Sequence, residues 1–169
     1  MNELAAALRR QRSVLSHLLF KLVEAHRLLA AGETRFLTAA AHEVEQATAR
    51  VLGVELERAL TADQLWRDLG RAPSSADDLT LPLLIELAPA PYAGIFADHR
   101  TALLALVSEI HSTAHDSRRI ATPGAPVSLD IDCNDPGTAL DLVASEIGID
   151  ATVTAAAGLA LASLVDFLG

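Results

Sequence analysis

Asp130, Asp132 and Asn134 stand at alternate positions on either side of Cys133, the spacing at which a calcium loop begins its set of oxygen ligands. Such a loop needs a glycine at its turn and a bidentate glutamate at its end. Asp135 occupies the first of these places and Asp141 the second, so the residues argue for a solvated acidic turn and against a calcium site. Cys133 has no adjacent His or basic residue to lower its thiol pKa, which argues against a nucleophilic role. His111, His115 and Asp116 fall within about one helical turn of each other and within reach of one metal ion, but solvated polar side chains at a fraying helix end explain them better. His99 interrupts an apolar face that carries no second His and no carboxylate, as a core histidine bonded to a neighbour would. No phosphate-binding glycine loop and no zinc-type spacing occurs. The chain reads as non-enzymatic, with no catalytic residue, cofactor or metal assigned; a metal-dependent helical bundle is the enzymatic alternative.

The elements that would carry these residues are helical. From Asn2 to Ala31 the chain has no Gly or Pro, and Leu4, Leu8, Leu15, Leu18, Leu22 and Leu29 project onto one face of a helix ~45 Å long. A helix of that length must be covered by others as long. Phe20 and Leu28 fall on its polar side, where they either bind a partner or pack on short helices around Trp66 and Leu84. After Gly32, a second helix from about Glu33 or Thr34 aligns Phe36, Leu37, Ala40, Val44, Ala47, Val51 and Val54. Thr61 suits the N-cap of a separate short helix to Leu69, and Thr80 caps another, with Pro82 in its first turn, that Pro89 and Pro91 end. A third long helix runs from about Tyr92 to about Ile120 along Ile95, Phe96, Leu103, Leu106, Val107, Ile110 and Ala114. The pattern changes at Pro123. Val127, Leu129 and Ile131 fit a short strand or a linker equally, Thr138 could open a short helix to Ile147, and a final apolar helix follows. The expected fold is all-α: an elongated antiparallel bundle of three long helices plus short helices, with an irregular insertion before a C-terminal helix. Its parts are a helical bundle domain at 1–120, an insertion or linker at 121–153 and an apolar helix at 154–169.

Of the 169 residues, 51% are hydrophobic but only 4% aromatic, which suits close packing of small and aliphatic side chains. The net charge of -9 argues against nucleic acid, since phosphate recognition rests on clustered Lys and Arg. One cysteine excludes an intrachain disulfide. No stretch suits membrane insertion, and the first residues lack the apolar run of a signal peptide, so the expected location is the cytoplasm.

Leu18-Leu19-Phe20-Lys21-Leu22, then Leu28-Leu29-Ala30-Ala31-Gly32, Arg35-Phe36-Leu37 and Glu43-Val44 resemble the opening of the FlgN-type flagellar export chaperones in their actinobacterial form. Asp98-His99-Arg100 and the terminal Phe167-Leu168-Gly169 are similar to the family's later part. The resemblance covers about residues 1–120 and, loosely, the last dozen. It implies a chaperone without cofactor that binds the C-terminal helical segments of flagellar hook-associated proteins, keeps them unassembled and delivers them to the type III export apparatus. The stretch from Pro123 to Val153 departs from the family, whose last long helix continues unbroken. Independently of the family, a client helix with an exposed apolar stripe needs a groove to cover it. Leu159, Leu161, Leu164, Val165, Phe167 and Leu168 of the last helix are therefore the first candidates for a client surface or a detachable occupant of the groove; a permanent fourth bundle member is the plainer reading. Phe20 and Leu28 are secondary candidates. A small helical oligomerisation or scaffold protein, forming a homodimer through its terminal helix, is the alternative function.

Overall fold

Helix α1 (Asn2–Ala30) ends where the sequence supplies a residue able to turn left-handed: Gly32 has φ 68°. Around it Glu33 N–H donates to Leu28 O and Gly32 N–H to Leu29 O, both at 3.0 Å, the paired bonds that close a helix through a C′ glycine. A 3-10 turn (Thr34–Phe36) then leads into α2 (Leu37–Asp68). The computed structural model describes residues 1–70, 80–121 and 151–169. Its further elements are α3 (Leu81–Leu87), α4 (Tyr92–Ala121) and α5 (Ala151–Leu168). The described residues are all-helical outside short connections, and three helices of 29, 32 and 30 residues dominate.

The separate helix expected from Thr61 does not exist, because α2 continues through it. Thr61 Oγ1 donates to Glu57 O at 2.7 Å, the back-bond of a threonine inside a helix. Buried Ala62, Leu65 and Trp66 carry the packing face onward. Thr80 does precede α3 in extended conformation with Pro82 in the first turn, although its hydroxyl makes no cap bond; Leu84 N–H bonds to Thr80 O instead, at 3.2 Å. The third long helix has the expected limits, and α5 begins at Ala151, a few residues ahead of 154. The expected strand at Val127–Ile131, the short helix at Thr138–Ile147, the acidic cluster from Asp130 to Asp141 and Cys133 lie outside the described residues.

Side-chain bonds give the helix directions. Arg10 clasps Glu57 through both carboxylate oxygens and Lys21 Nζ reaches Glu43 at 2.7 Å, so α1 and α2 are antiparallel. Tyr92 Oη donates to Asn2 Oδ1 at 2.8 Å near one end and His26 Nδ1 meets Ser117 Oγ at 3.1 Å near the other, so α1 and α4 are parallel. Helix α1 packs against both α2 and α4, which do not approach each other closely. On α1 the buried seam is Leu4, Leu8, Gln11, Leu15, Leu18, Leu22 and Ala25, spaced alternately by four and three residues as helix-on-helix packing requires. Leu29 is only half-buried.

Candidate functional site

Because α2 and α4 stand apart on the side opposite α1, a groove runs between them, and α5 occupies it. Leu161, Leu164 and Leu168 of α5 are fully buried and Phe167 nearly so. Val165 is half-buried, whereas Leu159 is 74% exposed. The six candidate residues on this helix thus divide: four turn into the groove, one lies at its edge and one faces solvent.

Polar side chains fix the seat of α5. On α2 the seam Val44, Thr48, Val51, Glu55, Arg58, Ala62 and Leu65 keeps the alternation of four and three, and two of its central positions are a glutamate and an arginine. Glu55 and Arg58 are buried at 6% and 4% exposure, and the guanidinium grips both carboxylate oxygens, with Nε to Oε2 at 3.0 Å. Gln11 Nε2 of α1 donates to Glu55 Oε2 at 2.6 Å, and Ser163 Oγ of α5 donates to Glu55 Oε1 at 2.9 Å. Arg58 lies over the Phe167 ring, 4.1 Å from its centroid. One carboxylate therefore joins three helices. A buried ion pair contributes little net stability, because desolvation offsets its attraction, but it penalises any arrangement that leaves one charge alone. Here it sets α5 parallel to α2 at one register.

The end of α5 is held separately. Arg100 Nε on α4 donates to Leu168 O at 2.6 Å and its Nη2 to Gly169 O, placing a cation at the helix's negative end. Gly169 has φ 66°, and a Cβ there would meet Pro82 Cγ of α3 at 3.1 Å, so α5 closes against α3. Sequence reasoning missed Glu55, Arg58, Gln11, Ser163 and Arg100 as a set. The signal for the first two was available: each continues the spacing of Val44 and Val51.

His99 is buried at 8% exposure, as a core histidine would be, but its Nδ1 has no hydrogen-bond partner among the described residues. Burial, and then the Arg12 and Arg9 guanidiniums of α1, hold its pKa below the ordinary 6.5, against a smaller opposing pull from Asp98. The folded protein therefore takes up this proton less readily than the unfolded chain. Stability from a neutral His99 is complete above about pH 6.5 and is lost as pH falls from there through the lower folded value. His99→Gln is expected to flatten the fall in urea midpoint as pH drops below about 6.5. An unchanged slope would show that His99 does not carry it.

His115 Nδ1 lies 3.7 Å from Asp116 Oδ1 with both side chains about half exposed. Among the described residues no group of three or more His, Cys, Asp or Glu is placed to hold a metal ion. Phe20 is exposed and carries the Lys21 ammonium 5.0 Å from its ring centroid; Leu28 is half-buried. The expected packing of Phe20 on the helices around Trp66 and Leu84 does not occur. The antiparallel register brings the end of α2 beside the start of α1, about 27 Å from Phe20 at 1.5 Å per residue. No described helix is long and apolar enough to cross a membrane. No family model, curated protein or solved structure matches the chain.

Proposed function

We propose that the protein is a non-catalytic, cytoplasmic secretion chaperone, as the resemblance to FlgN-type chaperones implies, and that α5 is a detachable occupant which a helical segment of an export client replaces in the groove between α2 and α4. The observation that supports this reading is the seating of α5: the bundle of α1, α2 and α4 presents a helix-wide, mostly apolar groove, and what fills it is a mostly apolar helix with its own polar anchors. A groove that accepts one helix by three leucines, one aromatic ring and one hydroxyl suits another helix with the same pattern. The proposed clients are the C-terminal segments of flagellar hook-associated proteins, handed on to the export apparatus.

The test is titration of the full chain with the C-terminal segment of a candidate hook-associated protein, read by calorimetry. One client per chain with a Kd of about 1 μM or tighter is expected, roughly 8 kcal/mol of binding free energy. Absence of binding, together with a dimer that is lost when residues 151–169 are deleted but survives Leu56→Glu, would replace the chaperone reading with a scaffold that pairs through its terminal helix.

A further inference from the structure

Three leucines are the most exposed large apolar side chains described: Leu159 at 74%, and Leu56 and Leu60 at 62% each. They come from two helices packed side by side. The bonds from Ser163 to Glu55 and from Phe167 to Arg58 set α5 beside α2 in parallel, so Leu159, one turn before Ser163, is level with Val51 and Leu52. Along α2 the strip continues through Ala49, Leu52, Gly53, Leu56 and Leu60, and a Cβ built on Gly53 would meet only open space.

Two charges at the ends of this strip are placed symmetrically about Leu56, while Asp63, the third, has Ala49 as its counterpart. Glu45 lies eleven residues before Leu56 and Arg67 eleven after it. Eleven residues are three turns plus about 20°, so both share the face of Leu56. Between Glu45 and Asp63 the strip carries no charge. Among the described residues Glu45 pairs with His42, at 3.3 Å, and Arg67 with Asp63 of its own helix. If two copies of α2 lie antiparallel with Leu56 against Leu56, each Glu45 meets the other copy's Arg67 and Leu52 meets Leu60. An isologous contact requires this self-complementarity, and a helix with random end charges lacks it.

We infer that the outer face of α2, widened by Leu159 of α5, pairs with a second copy of this chain in an antiparallel two-fold dimer. The contact is carried by the outer face of α2, away from the groove between α2 and α4, and Leu159 adds to it only while α5 is seated there, so it does not depend on the chaperone reading. From Glu45 to Arg67 the strip is about 33 Å long and about 10 Å wide, roughly 330 Å² per copy before Leu159 is added. That is less than the ~800 Å² per partner of a standard stable interface, so the dimer is weak and reversible.

Sedimentation equilibrium of the full chain from about 1 μM to about 500 μM tests this, with circular dichroism as the control for folding. A reversible monomer–dimer equilibrium is expected. Leu56→Glu should weaken it at least about tenfold, the loss of a central apolar anchor. Glu45→Arg should also weaken it, and adding Arg67→Glu to that variant should restore it, a rescue that a general surface effect would not produce. A monomer at every concentration overturns the proposal, and so does a dimer indifferent to Leu56→Glu. Client binding by a strictly monomeric chain would sink the dimer and leave the chaperone reading standing; a dimer of this register that binds no client would do the reverse.

Discussion

Replacing Leu22 by aspartate is expected to unfold the protein. Leu22 is 1% exposed on the central seam of α1, one turn from Leu18, and the register of the helices sets it level with Val44 of α2 and between Ile110 and Ala114 of α4. Truncation of such a leucine to alanine costs about 2–5 kcal/mol. Aspartate adds a buried charge, and no cation faces the seam there: Lys21 points about 100° away and is already held by Glu24 and Glu43, both at 2.7 Å. The combined cost reaches or exceeds the roughly 5–15 kcal/mol by which a domain of this size is stable. Circular dichroism should show loss of most helicity and of the cooperative thermal transition, with Leu22→Ala intermediate. A variant with full helicity and an unchanged transition would mean that Leu22 does not lie in the core.

The seam that makes this outcome calculable was legible in the chain itself. Twenty-nine residues without Gly or Pro, leucines returning at intervals of three, four or seven and a glycine at the end fix α1 by local physics alone. The same holds for α4, whose start follows Pro89 and Pro91 and whose buried Phe96, Leu103, Val107, Ile110 and Ala114 keep the period. The break expected at Thr61 failed because a good capping residue is also tolerated inside a helix once its hydroxyl bonds back one turn, and only the tertiary face could decide between the two. Leu159 was grouped with its apolar neighbours because composition does not reveal which side of a mostly apolar helix faces out. The polar anchors were harder still. Glu55 and Arg58 look like ordinary surface charges until Ser163 and Phe167, more than a hundred residues on, are brought against them. Arg100 is likewise silent until the end of α5 is docked on it.

Those anchors give the other large effect, and its sign separates holding power from specificity. Arg58→Met leaves the Glu55 carboxylate buried with two neutral donors, Gln11 and Ser163, and no cation; breaking a buried pair from one side costs about 3–5 kcal/mol. Replacing both members, with Glu55→Leu added to Arg58→Met, removes the stranded charge, and the double variant should recover to within about 1–2 kcal/mol of the parent or surpass it. Urea denaturation of the four proteins in the cycle measures this. A single variant that loses less than about 1 kcal/mol would mean that the pair is not buried in solution. Stability is only half of the expectation. In the double variant α5 keeps its leucines but loses the bond from Ser163 and the cation over Phe167, so the register that tied it to α2 is no longer enforced. Amide protection from Ala157 to Leu168 should therefore fall even where the urea midpoint recovers, while the seam of α1 stays protected. If protection of α5 returned together with global stability, apolar packing alone would be seating that helix and the buried pair would have no part in its register.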